Sequence, residues 1–303
     1  MQLLAYWIVV LAATSLGHWA FGAAAPTARS EVAVAATGGK IYVIGGSTSG
    51  SVDQARNEAY DPRARTWEER APIPRGMNHI GATSLAGKIY TFGGFSQQNS
   101  AAVADAYVYD PATNQWSALA PLPRALGSPS VAALGDKIHI VGGRDTQSVT
   151  SHFVYDPARN TYTAAAALPY PRDHMALVAA QGKLYAIGGR FNTFAHNVNY
   201  NEEYDPTTDR WQEKQPLPTA RSGCAAALFG GRILVIGGER DGGVFTQNEA
   251  YDPSTDQWTM LAPLPEGRHG TGASAIGTAL YVPVGAPVNG GSQQSSSLLI
   301  FTQ

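Results

Sequence analysis

One short phrase returns six times along this chain, and its period constrains the fold more than any other feature. An apolar run ends in a glycine doublet at Gly45-Gly46, Gly93-Gly94, Gly142-Gly143, Gly188-Gly189 and Gly237-Gly238, with a worn copy at Gly285-Ala286. Successive copies lie 46 to 49 residues apart. Beyond the first glycine of each complete copy by 13 to 16 residues comes Tyr-Asp-Pro, at Tyr60, Tyr109, Tyr155, Tyr204 and Tyr251. Seven residues further stands a large aromatic: Trp67, Trp116, Tyr162, Trp211 and Trp258. A fixed period of this length marks a repeat array, in which each copy is one supersecondary unit that buries its apolar face against its neighbours.

Each copy reads as four short strands. A small-residue run such as Ala225 to Leu228 comes first, then a Gly-containing turn and the apolar strand that ends at the doublet. A third strand ends at Tyr-Asp-Pro, and a fourth carries the tryptophan. Short strands at even spacing with turn residues between them predict an all-β fold, and the internal repeat selects a propeller with one four-stranded sheet per copy. Small residues suit an innermost strand where blades converge. The aspartates of Tyr-Asp-Pro recur in every complete copy and are turn-formers.

The doublet, tyrosine and tryptophan at set distances resemble the kelch repeat, over residues ~19 to 303. The resemblance implies a six-bladed kelch β-propeller. The sixth copy ends at Gln303 without a tryptophan strand, with Phe301 in the place of the tyrosine. The missing strand stands at the other terminus, because Trp19 to Ser30 aligns without a gap on Trp211 to Ser222. The strand around Trp19 is therefore expected to complete the last blade and close the ring, which removes exposed strand edges.

Before Trp19, the uncharged apolar run from Leu3 to Ala13 reads as a secretory signal, giving residues 1–17 as a signal-like segment and 18–303 as one propeller. The protein is then exported, periplasmic or extracellular; the alternative is an uncleaved N-terminal segment that anchors it. A net charge of −2 and the lack of a basic run exclude nucleic acid as a partner. The lone cysteine, Cys224, sits among small residues and reads as a buried apolar side chain. A closed ring needs no partner to hide its edges, so a monomer is expected. No cofactor motif is present, and seven histidines at 18, 79, 139, 152, 174, 196 and 269 show no metal-ligand spacing.

Propellers bind at the mouth of the central channel. One set of loops at that end carries an arginine in every copy: Arg29, Arg75, Arg124, Arg172, Arg221 and Arg268, each 16 to 18 residues before its doublet. Arg144 and Arg190 directly follow doublets. Guanidinium forks match carboxylates, so the set predicts an arginine-lined mouth for an acidic glycan or an acidic peptide segment. The alternative is that each arginine ties a loop to neighbouring carbonyls. Loop residues that break the repeat are further candidates: Phe95, Asp145, Phe191, Asn192, Glu239, Arg240 and Asp241. Kelch domains generally serve recognition, which implies a non-catalytic binding protein. Exported six-bladed kelch proteins also include sialic acid mutarotases. By that resemblance Glu239, His174 or His269 would move the proton.

Overall fold

The structure, a computed structural model, describes residues 16–50, 52–97 and 99–303. The apolar run from Leu3 to Ala13 lies outside the described residues. Among those described, strands form six antiparallel four-stranded sheets, with three two-stranded ribbons in the loops. Blade 1 runs outward through Ala33–Thr37, Lys40–Ile44, Asn57–Asp61 and Thr66–Arg70, and blades 2 to 5 repeat that order. The innermost strands of successive blades stand side by side around an axis, and those of blades 6 and 1 meet as the others do.

Blade 6 is built from both ends of the described chain. Ser274–Ile276, Ala279–Pro283 and Leu298–Thr302 supply three strands, and His18–Phe21 pairs antiparallel with the last of them, Trp19 opposite Phe301. Trp19 then does what every outer aromatic does. Its Nε1 donates to Ala262 O in the preceding blade at 2.9 Å. Trp67, Trp116, Trp211 and Trp258 donate in the same way to Ala23, Ala71, Ala166 and Gln215, and the Tyr162 hydroxyl donates to Ala120 O. Each large ring thus buries apolar area between blades while its polar tip satisfies a backbone carbonyl.

The doublets turn the chain from the second strand into the mouth loop. Gly45 has φ +65°, and a Cβ there would stand 2.6 Å from Met77 O, so only glycine fits. Blade 6 departs from the sequence-based alignment. Val284 N donates to Ser297 O as Gly45 N does to Arg56 O, so the worn doublet is Val284-Gly285, not Gly285-Ala286. Val284 takes the left-handed backbone, at φ 49°, that glycine takes elsewhere. Ala286 then corresponds to Ser47, and each bridges back to the chain entering its own innermost strand.

Candidate functional site at the channel mouth

The six arginines that recur once per copy divide into two classes, and neither forms a funnel. Arg29, Arg172, Arg221 and Arg268 are buried between strands of their own blades. Arg29 donates to Gly45 O at 2.7 Å, to Val43 O and Arg56 O at 3.2 Å, and to the Glu58 carboxylate at 2.8 Å. Arg172 and Arg221 pair likewise with Glu202 and Glu249. Arg268 has no buried carboxylate opposite it; it donates to Val284 O and Ser297 O, and burial pushes its pKa down to about 10. Arg75 and Arg124 lie 18 residues before their doublets where the others lie 16 before the doublet position. They are exposed and pair with Asp105 and Asp145. In register with the four buried arginines, blades 2 and 3 instead carry Met77 and Leu126.

The carboxylate changes with its partner. Glu58, Glu202 and Glu249 pair across the sheet with the residue two before the first glycine of their doublets; Tyr107 and Phe153 hold that place in blades 2 and 3. Arginine and glutamate therefore occur together or not at all in these five blades, as expected of a buried ion pair.

Two residues after each buried arginine register comes the position that does line the mouth. Glu31, His79, Ser128, His174, Gly223 and Gly270 all hold left-handed backbone, with φ between 50° and 62°. Their main chains link blade to blade: His79 N donates to Glu31 O, Ser128 N to His79 O, Gly223 N to His174 O and Gly270 N to Gly223 O. Beside this ring runs a second, in which Ser47, Phe95, Arg144, Arg190, Glu239 and Ala286 bridge to Ser30, Asn78, Gly127, Asp173, Ser222 and His269. The chemistry of the mouth comes from these positions.

Arg190 is the centre of one network. Its Nε donates to Asp173 at 3.2 Å, its Nη1 to Glu239 and its Nη2 to His174 Nε2 at 2.8 Å. His174 Nδ1 donates in turn to Asp173. Burial and the adjacent guanidinium push His174 down to about 4, against the pull of Asp173, so the ring is neutral and accepts through Nε2. Asp173 is held well below the usual carboxylate range. Its burial opposes this, but the bonds from His174 and Ser148 and the charge of Arg190 outweigh it.

A second network is fixed from Asp53. Asn78 Nδ2 donates to Asp53, so its Oδ1 faces His79 Nδ1, which must carry a hydrogen. His79 Nε2 then meets Glu31 Oε2 at 3.0 Å, and one proton has to lie between them. Burial disfavours the charged Glu31 carboxylate, yet His79, His269 and His174 hold its pKa far below the ordinary value. His269 is 1% exposed, and its Nε2 donates to Val288 O. Its Nδ1 has no hydrogen-bond partner and lies 3.4 Å from Glu31 Oε1 and 3.6 Å from Glu239 Oε2.

The expected residues Glu239, His174, His269 and Arg190 thus converge, and Glu31, His79 and Asp173 join them. The repeat carried a usable signal for Glu31 and His79, since they occupy one fixed register whose other members are Ser128, His174, Gly223 and Gly270. The remaining candidates stand to one side. Phe95 is buried with its ring edge-on to His79, Arg144 lies over Phe95 and donates to Asn192 O, and Asn192 clips the blade 3 loop through Ser148. A cavity of about 210 Å³ opens above the networks, lined by Glu31, Asn78, His79, Arg190, Phe194 and Glu239 among others.

A family model described as the KLHDC2/KLHL20/DRC7 Kelch-repeats domain matches residues 6–168, and one described as the Kelch motif matches residues 171–218 and 220–265. Mouse Kelch-like protein 35 is 38% identical over 76 residues, 25% of this chain and 13% of its own length. An Arabidopsis thaliana F-box/kelch-repeat protein is 32% identical over 103 residues, 32% of this chain and 27% of its own. The chain thus spans about a quarter or less of these relatives. The solved structure of YjhT superposes with a TM-score of 0.80 at 17% identity, covering 93% of this chain and 97% of that one.

Proposed function

The chain belongs to the kelch-repeat family, and from that premise we propose that it is a recognition propeller whose mouth holds a compact, hydroxyl-rich ligand of the carbohydrate class. One observation carries the reading. Four of the six ring positions keep a side chain on left-handed backbone, where glycine is cheaper by roughly 1–2 kcal/mol per residue. Retained strain of this kind points to a site. Three of those side chains, Glu31, His79 and His174, sit at one side of the throat beside Arg190 and Glu239. Acceptors and donors there line a cavity of about 210 Å³ that the Phe194 ring also borders.

The charge balance favours a hydroxyl-rich ligand over an acidic one. Arg190 is already engaged by Asp173 and Glu239, and Glu31 adds a third carboxylate. The acidic glycan or peptide expected from the sequence has Arg144 in its favour, because its buried Nε has no partner. A second reading, anomer exchange in a bound sugar, draws on two carboxylates, Glu31 and Glu239, facing one cavity with imidazoles beside them.

A thermal-shift titration of the full chain distinguishes these. Neutral hexoses and N-acetylated sugars, sialic and uronic acids, and acidic peptides form the panel. Binding to the folded state raises Tm by mass action. The proposal expects a shift with neutral sugars that Phe194→Ala and Glu239→Gln abolish. A shift with acidic peptides alone, or with no sugar at all, overturns it. Anomer exchange is then read by proton NMR on any sugar that binds.

A further inference from the structure

We propose that the throat triad Glu31, His79 and His174 is a binding site for a divalent first-row transition cation of the zinc class, with its open position facing the mouth. One ligand atom from each residue lies within 4.8 Å of the other two. Ligands on a tetrahedral ion at about 2.1 Å stand roughly 3.4 Å apart, so each atom has to move inward by less than about 1 Å. Those movements lie within side-chain torsions, because the three residues share one register of blades 1, 2 and 4 and their backbones are tied into the ring.

The surroundings match what a metal site requires. Ligating histidines bind through one ring nitrogen while the other donates to an oxygen that fixes the ring. His79 Nδ1 is held by Asn78 Oδ1, itself oriented by Asp53, and His174 Nδ1 is held by Asp173. In both rings this leaves Nε2 directed inward. Two imidazoles and one carboxylate suit zinc, cobalt, nickel or iron and not calcium or magnesium.

A second, independent observation points to a cation. His269 Nδ1 is buried, makes no hydrogen bond and is set between the Glu31 and Glu239 carboxylates. Arg190 already answers two carboxylates, Asp173 and Glu239, and Glu31 lines the same cavity as a third. A divalent ion supplies the positive charge that this arrangement calls for. Arg190 is also the competitor, since its Nη2 occupies His174 Nε2 at 2.8 Å. Metal binding releases to solvent the proton held between His79 Nε2 and Glu31 Oε2, and exchanges the Arg190 bond for a coordinate one while Arg190 keeps Asp173 and Glu239. The inference does not depend on a sugar binding above it.

The test uses the full chain, freed of metal with a chelator, titrated with Zn²⁺ by calorimetry and with Co²⁺ by visible absorption. One equivalent of each is expected, with the d–d bands of a low-symmetry nitrogen and oxygen site. Glu31→Gly, His79→Gly and His174→Gly are suitable variants because Gly223 and Gly270 already occupy this register, so the fold accepts glycine there. Each is expected to weaken Zn²⁺ binding by about a hundredfold or more, while the exposed His196→Ala leaves it unchanged. Arg190→Met is expected to tighten it. Absence of stoichiometric uptake overturns the proposal. So does uptake that survives all three glycine variants or that His196→Ala removes. Sugar binding is measured separately, so either reading can fail without the other.

Discussion

Replacing Arg29 by leucine separates an architectural arginine from a ligand-binding one. The guanidinium makes four bonds, three to the carbonyls of Gly45, Val43 and Arg56 and one to Glu58. The Glu58 side chain is 2% exposed, and besides Arg29 it receives a bond from the Thr27 hydroxyl at 2.7 Å. Arg29→Leu therefore strands a buried carboxylate and removes a donor from three carbonyls. Breaking a buried pair from one side costs about 3–5 kcal/mol. In a chain of this size that lowers Tm by roughly 5–8 °C. The double variant Arg29→Leu/Glu58→Phe reproduces the Leu126 and Phe153 pair of blade 3. It is expected to recover about 2 kcal/mol or more of the loss, since no charge is left buried. Urea unfolding of wild type, both single variants and the double gives the coupling energy directly. A single variant that costs under about 1 kcal/mol, or a double whose loss equals the sum of the two, would refute the pairing argument. The same variant that loses stability while keeping sugar affinity assigns Arg29 to the fold.

Three further outcomes follow from the geometry. Trp19→Ala removes the ring that packs on Phe301 at 5.0 Å and the bond to Ala262 O, and should cost about 3 kcal/mol in thermal unfolding, as expected of a blade-closing residue. Gly45→Ala and Gly39→Ala share a positive φ, but a Cβ at Gly39 meets nothing within 4 Å while one at Gly45 meets Met77 O at 2.6 Å. The first should therefore destabilise by at least about 2 kcal/mol more than the second. Burial and the neighbouring His152 push His139 down to about 4, so it stays neutral when folded. Between pH 6.5 and 4 the unfolded chain takes up a proton that the folded one refuses, so stability falls on acidification by up to about 3 kcal/mol from this group. His139→Leu/His152→Asn, which copies Leu234 and Asn248 of blade 5, should flatten that part of the profile in unfolding measured across pH.

The repeat makes most of the architecture legible in the sequence. Glycine doublets, Tyr-Asp-Pro and the outer tryptophans each answer a local demand: a left-handed turn, a strand end, or a wide apolar face with a polar tip. Such demands recur at one period because every blade meets the same neighbours. The terminal match between Trp19 to Ser30 and Trp211 to Ser222 was enough to predict closure, since a strand edge in blade 6 had to be covered. The sequence also held the clue that splits the arginines, because Arg75 and Arg124 stand two residues out of register with Arg29, Arg172 and Arg221. A spacing of 16 marks the buried ion-pair position and a spacing of 18 an exposed one.

What the chain alone determined is the period, the four strands per copy, the number of blades and the way the ring closes, because these follow from side-chain pattern and backbone permissiveness within one repeat. Only the tertiary structure decided which residues meet at the throat. Glu31, His79 and His174 are separated by 48 and 95 residues, and no local pattern joins them. They converge because a closed ring carries one register of each blade to a common axis, and the left-handed backbone there turns three different side chains onto one point.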